Sequence, residues 1–371
     1  MKRIDFASSR PFTLGVELEF QLLDSRSLDL VPAAPAILRR GGWLESKRVA
    51  PEFLRSIIEI QTGICGSVDE VAEDLAETIQ MVEQVAREDE VVLYSASLHP
   101  FAIPEKQQLS NGERYQRIMN ELQYVGRQFI SQGLHVHVGV SDPETAIRLC
   151  NVLQVYLPLL LALSGSSPYF RGQDTGFSSY RTKLFEALPL AGIAGYIGSW
   201  KEYEEEIGML RERGIILQIR DLWWDVRPSP GFGTVEVRTC DIPCRFQEVL
   251  GLTAIIQALA AAVSEGLVRS RRVSLQLLRY NKWQAARHGL EGRFCDPLTL
   301  LQGGVDSLAD AVHRLLEVLA PYFRRFASTD HLDAIDTILA EGTGAARQRR
   351  LMAAGGSFRD MITTLQENYW S

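Results

Sequence analysis

At 371 residues, with 46% hydrophobic and 23% charged residues, the chain has the length and composition of a globular protein able to bury a large core. Its net charge of −7 argues against nucleic acid or an anionic membrane as partner, since either needs a basic face. The five cysteines are odd in number and widely spaced, which fits free thiols in a reducing cytoplasm; Cys240 and Cys244 lack a second Cys/His pair to complete a zinc site.

The opening MKRIDFASSRPF is basic but leads into no apolar run, so no secretory signal is expected. FTLGVELEFQLLD, from Phe12, reads as a strand, and side chains in a strand alternate faces. Leu14, Val16, Leu18, Phe20 and Leu22 take one face, and Gly15, Glu17, Glu19 and Gln21 the other. RSIIEIQT sorts more weakly, with Ser56, Ile58 and Ile60 opposite Ile57, Glu59 and Gln61. Next, GSVDEVAEDLAETIQMVEQVARE opens with a capping box, Ser67 with Glu70, and places Val71, Leu75, Ile79 and Val82 on one helical stripe. GLHVHVGV is again a strand, with His135 and His137 together opposite Leu134, Val136 and Val138.

SDPETAIRLCNVLQVYLPLLLALSG predicts a helix with Asp142 as N-cap and Pro143 in the first turn. Its most apolar part is shorter than the roughly 20 residues of a membrane span and contains Gln154 and Pro158, so it reads as a buried helix. SSPYFRGQDTGFSSYR and DLWWDVRPSPGFG read as long ordered loops. GTVEVRTC repeats the strand alternation, with Val235 and Val237 against Thr234, Glu236 and Arg238. Beyond Phe246 the periodicity is helical almost throughout. With no repeat or flexible linker, one domain over 1–371 is expected, sheet-rich over 1–245 and helical over 246–371.

Clean alternation suits an antiparallel or mixed sheet with one face on helices and the other facing a wet space. A solvated face would carry mixed polar residues; these strands offer Glu17, Glu19, Glu59, His135, His137, Glu236 and Arg238. Each piece alone is compatible with ordinary surface: paired glutamates are common there, and EVR can be a cross-strand ion pair. Their recurrence on parity-matched strands implies convergence, and like charges so gathered need a cation. Oxygen-rich donors with one or two imidazoles favour Mg²⁺ or Mn²⁺ over structural zinc. Arg238 beside them points to phosphate, whose oxygens a guanidinium binds bidentately. No GxxxxGKS or GxGxxG follows any strand, so metals and arginines would have to hold a nucleotide.

FTLGVELEFQLLD, SIIEIQTGIC, GLHVHVGV, SPYFRGQDTGFSSYR, DLWWDVRPSPGFGTVEVRTCD and NKWQAARHGLEG, in this order, resemble the motifs of the bacterial carboxylate-amine ligases, also called type 2 glutamate-cysteine ligases. The resemblance implies an α+β fold related to the glutamine synthetase catalytic domain, a curved, largely antiparallel sheet forming a funnel with helices outside. It implies ATP with Mg²⁺, small amino-acid substrates and a homodimer. By position, Glu17, Glu19, Glu59, His135 and Glu236 would be metal ligands, Arg238 would contact the ATP phosphates, and Arg238 with Glu59 would serve the reacting groups. His137 would bind metal or nucleotide. Arg171 and Arg181 are candidates for the acid substrate's carboxylates, with stapling of an ordered loop as the alternative. Asp225 and Arg227 are taken as substrate-side residues that pair with each other, and Arg287 as a helix residue reaching the phosphates. Trp223 and Trp224 are read as packing anchors, and Glu52 is set aside because its parity opposes that of Glu59. The implied activity is ATP-dependent amide formation through an acyl phosphate. The rivals are a metal-dependent hydrolase and a non-catalytic nucleotide or divalent-ion sensor.

Overall fold

A computed structural model describes residues 3–302 and 304–371. Its main sheet comprises β1 (Leu14–Asp24), β2 (Val49–Pro51), β3 (Ile57–Gln61), β4 (Val91–Tyr94), β5 (Gly133–Gly139), β6 (Val226–Ser229) and β7 (Thr234–Asp241). The order is β6-β7-β5-β1-β3-β2, with β4 on the far end of β1, and the pairings are antiparallel. As the alternation requires, Leu14, Val16, Leu18, Phe20, Ile58, Ile60, Val136, Val138, Val235 and Val237 are buried in one continuous core. Each such side chain contributes about 1.5–3 kcal/mol by leaving water. A one-residue slip in β1 would drive Glu17 and Glu19 into that core, so the register is strongly specified.

The core face is covered by α1 (Val68–Arg87), α3 (Pro143–Ser164) and α4 (Phe246–Ser264), which pack on β1, β3, β5 and β7 and on one another; α2 (Glu113–Arg127) belongs to the opposite side. The stripe of α1 is buried as expected, but its cap differs in detail. Ser67 Oγ accepts from Glu70 N at 3.2 Å, while the Glu70 carboxylate accepts from Gly66 N at 2.6 Å, so the reciprocal half of the box lands one residue early. Asp142 caps α3 through Thr145 N at 2.8 Å. Both α3 and α4 are long and apolar enough to cross a membrane, yet 94% of the apolar window of each is buried inside this fold.

After Phe246 the chain is helical apart from a small hairpin, Arg293–Cys295 with Val305–Ser307. The serine-rich loop is tied down by Asp241, whose carboxylate accepts from Ser166 N (3.0 Å), Ser167 Oγ (2.7 Å) and Ser179 Oγ (2.8 Å). The cysteines are free thiols.

Candidate active site

The polar face of the sheet is the floor of a cavity of about 420 Å³. Register places the acids and imidazoles side by side: Glu19 opposite Glu59, Glu17 opposite His135, and His137 opposite Glu236. His135 Nδ1 lies 3.0 Å from Glu17 Oε2, and His137 Nε2 lies 3.3 Å from Glu17 Oε1. Thr234 Oγ1, 2.8 Å from His137 Nδ1, fixes that ring from the other side. Glu236 is held by Arg227, Nε to Oε2 at 2.8 Å and Nη2 to Oε1 at 3.2 Å, and by Arg238 through a close Nη1 contact. Gly133 N donates to Glu19 Oε2 at 2.7 Å, and a Cβ at Gly133 would run into the Arg181 guanidinium packed beneath it.

Three overlapping sets of donor atoms lie within 4.8 Å of one another: Glu17, Glu59 and His135; Glu17, His137 and Glu236; Glu19, Glu52 and Glu59. Glu52, set aside on parity, is therefore a floor residue. Strand β2 ends at Pro51 and the chain turns before β3, so alternation cannot be counted back from Glu59 to Glu52.

The electrostatics divide the floor. Burial pushes Glu19 up to about 8, with the Glu52 charge adding and Arg181, Arg238 and the Gly133 N–H opposing. Glu59 is driven well above the carboxylate range by burial and then by Glu17, Glu52 and Glu19, and burial raises Glu52. At Glu17 burial acts upward, but hydrogen bonds and charge from His135 and His137 hold the carboxyl well below its usual range. Glu236 is likewise held low, against burial, by Arg238 and Arg227. Burial and Arg238 push His135 down to about 4, whereas at His137 the charges of Glu236 and Glu17 outweigh burial and raise it.

Fully ionised, the Glu19–Glu52–Glu59 end would thus carry more negative charge than it can hold unaided. His135 is neutral near pH 7, and its buried Nε2 has no hydrogen-bond partner among the described residues, Glu19 Oε1 lying 4.0 Å away. Orphaned imidazole nitrogen and crowded carboxylates fit a hard divalent cation such as Mg²⁺ or Mn²⁺.

The other residues expected at the site are dispersed. Arg227 lines the cavity but pairs with Glu236, and Asp225 bonds instead to Lys282 Nζ at 2.7 and 2.9 Å, outside the lining. Arg181 is buried behind the floor, reaching the Thr239 and Arg238 carbonyls at 3.4 and 3.3 Å. Arg171 lies away from the cavity on Glu105 (2.9 Å) and Gln128 (3.1 Å), and Arg287 bonds the Gly176 carbonyl closely, which staples the serine-rich loop. Trp224 packs in the core as expected, whereas Trp223 faces the cavity.

Opposite the floor stands a wall that sequence reading passed over. Arg114, Ile118 and Leu122 follow one another at i, i+4 and i+8 along one side of α2, joined by Tyr115, and the loop before Trp223 adds Arg220. Their pattern is that of any amphipathic helix with charged flanks, so only the fold reveals where it faces.

A model for the Glutamate-cysteine ligase family 2 (GCS2) matches residues 13–367. The chain belongs to this family. A protein provisionally named glutamate–cysteine ligase 2 from Gloeobacter violaceus is 38% identical over 371 residues, covering 98% of either chain. One of the same name from Solibacter usitatus is 34% identical over 366 residues, covering 97% of this chain and 94% of the other. Membership makes this chain an ATP-dependent ligase of the glutamate-cysteine ligase type, forming a carbon–nitrogen bond. Among solved structures, the glutamate–cysteine ligase of Francisella tularensis in complex with AMP superposes with a TM-score of 0.71 at 14% identity, covering 98% of this chain and 89% of that one. A bifunctional glutathione synthetase from Pasteurella multocida gives 0.64 at 16%, covering 96% and 52%. These likenesses establish a shared fold, the sheet-floored funnel expected from the sequence motifs.

Proposed function

We propose that the protein joins the γ-carboxylate of glutamate to the amine of cysteine or a related amino acid, with ATP as the activating co-substrate. A carboxylate oxygen attacks the γ-phosphorus of ATP, the bond to the β,γ-bridging oxygen breaks, and an acyl phosphate and ADP result. The amine then adds to the acyl carbon, phosphate leaves with the bonding pair, and the amine proton passes to solvent or a nearby base.

The first step brings two anions together, so the main task is charge compensation and positioning. Glu17, Glu19, Glu52, Glu59, His135 and Glu236 would hold Mg²⁺, and His137 completes the set nearest Glu236. When bound, the ion supplies Lewis-acid neutralisation of the phosphates. Arg238, anchored on Glu236, is poised to offset charge on the transferring group, and Glu59 holds the acid end of the floor against it. The walls from α2 and the Trp223 loop would shield the reacting groups from water, as an acyl phosphate requires. The main core cluster, which runs from Leu14 to Tyr369 and joins sheet to helices, supports one catalytic domain in which the helical part backs the sheet. The protein is taken to act as a homodimer in the cytoplasm.

The observation that carries this reading is the convergence of three overlapping donor sets with Arg238 on one cavity floor. The test is ADP release with ATP, Mg²⁺ and amino acids offered singly and in pairs. Glutamate is expected to stimulate release and the amine to raise it further. Turnover of a substrate without nucleotide would favour the hydrolase, and nucleotide binding with no ADP release from any pair would favour the sensor.

A further inference from the structure

We propose that Arg114 and Arg220 form a carboxylate-binding subsite at the cavity mouth, which holds the non-reacting carboxylate of the acid substrate. The proposal rests on the ligase reading and adds to it the residues that select a dicarboxylate.

The floor arginines are already engaged: Arg227 and Arg238 are tied to Glu236, and Arg181 lies behind the floor on backbone carbonyls. The mouth differs. Arg114, Arg117 and Arg220 cluster there around one carboxylate, Asp221. Both Asp221 oxygens take Arg117 Nη2 at 3.2 Å, and Oδ2 also accepts from Leu217 N and Gln218 N at 3.1 Å. Arg114 stays at ion-pair range of Oδ1, its Nε 3.6 Å away and, although the atom is buried, without a hydrogen-bond acceptor among the described residues. Arg220 Nε donates to Gln218 Oε1 at 2.5 Å, and no ion pair engages Arg220 among the described residues.

Two guanidiniums thus line the same cavity, linked by Arg114 Nη2 to the Arg220 carbonyl at 3.3 Å: Arg220 pairs with no carboxylate among the described residues, and Arg114 has the 3.6 Å approach to Asp221, which it shares with Arg117, and the charge of Glu52 nearby. Like charges held together in this way are relieved by an anion between them, and paired guanidiniums match a carboxylate's planar fork. Ile118 and Leu122 continue the same side of α2 as Arg114, an apolar surface for the methylenes joining two carboxylates. With the triphosphate matched to the floor, the anion left for the mouth is the far end of the acid.

The test is calorimetric titration of L-glutamate, 4-aminobutyrate (glutamate without its α-carboxylate) and a non-hydrolysable ATP analogue, each with Mg²⁺, into wild type, Arg114→Gln, Arg114→Lys and Arg220→Gln. Glutamate is expected to weaken at least tenfold in Arg114→Gln and by a smaller factor in Arg220→Gln, with partial recovery in Arg114→Lys and the nucleotide within twofold. 4-Aminobutyrate should bind wild type about as weakly as glutamate binds Arg114→Gln and lose nothing further in that variant. Loss of nucleotide affinity with glutamate unchanged would assign the pair to phosphate and overturn the proposal. Equal losses for glutamate and 4-aminobutyrate would make Arg114 a structural prop, and no binding of glutamate to wild type would overturn it too. These readouts need no turnover, so an absence of ADP release would count against the ligase reading alone. Arg220 is exposed, so a folding defect at Arg114 leaves the second variant to decide.

Discussion

The floor and the mouth of the cavity carry opposite charge and are built by different means. On the floor, acids and imidazoles stand on strands whose register is fixed by a core on the other face, so their spacing is set by the sheet. At the mouth, arginines stand on a helix edge and a loop and are held by Asp221 and by each other. Rigid elements position reacting groups well, and loops can vary without cost to the core. The contrast therefore suggests a division of labour, with phosphoryl chemistry on the sheet and choice of acid at the mouth.

The largest effect is expected at the floor. Glu236 is 2% exposed and pairs with two arginines, so Glu236→Ala leaves the half-buried Arg227 and Arg238 without that partner. Breaking such a buried pair costs about 3–5 kcal/mol. Loss of correctly placed charge at a transferring group lowers the rate about 100- to 1,000-fold. Steady-state ADP release and thermal unfolding of this variant should both fall. Retained activity would show that the floor does not carry the chemistry.

A smaller effect separates the two ends of the floor. Glu19 titrates at about 8 in the folded protein against 4.5 ordinarily, so between those values the folded chain keeps a proton that the unfolded chain has lost. Its contribution to the stability of the metal-free protein therefore declines as pH rises through that window, and Glu59 acts in the same direction. With a chelator present, the Tm of wild type should fall between pH 6 and 8.5 by at least about 2 °C more than that of Glu19→Gln. Mg²⁺ should recover more at pH 8 than at pH 6, because the ion replaces the proton. Parallel curves for the two proteins would mean that Glu19 is not strained by its neighbours.

How far each region could be read from the sequence follows from how it is built. Alternation is a local property, so Glu17, Glu19, His135, His137 and Glu236 could be assigned to one face without knowing the strand order. The same rule misled at Glu52, because the turn after Pro51 resets the count. The arginines needed tertiary information. Arg287, Arg171 and Arg181 lie in motifs that suggest anion binding, yet the fold turns the first two to loop stapling and buries the third behind Glu19. Arg114 and Arg220 carried no sequence signal, because what marks them is their meeting on one cavity wall, which only the fold brings about.

The smallest expected effect sharpens the contrast from outside the cavity. Arg171 sits in the serine-rich loop and Arg181 opens the short helix that follows it, Arg181–Glu186, and their surroundings differ. Arg181 is 3% exposed and lies within the field of Asp241 and Glu19, so its loss would disturb the floor from beneath. The Arg171 side chain is 41% exposed and pairs with Glu105 in solvent, an arrangement worth about 0.2–1 kcal/mol. Arg171→Ala should therefore leave Tm within about 2 °C of wild type. The KM for the acid should stay within about twofold, a change of less than about 0.5 kcal/mol. Initial rates of ADP release against glutamate concentration would decide it. A tenfold rise in that KM would move recognition of the acid from the mouth arginines to the outer loop, and the separation of floor from mouth would no longer describe how this enzyme chooses its substrate.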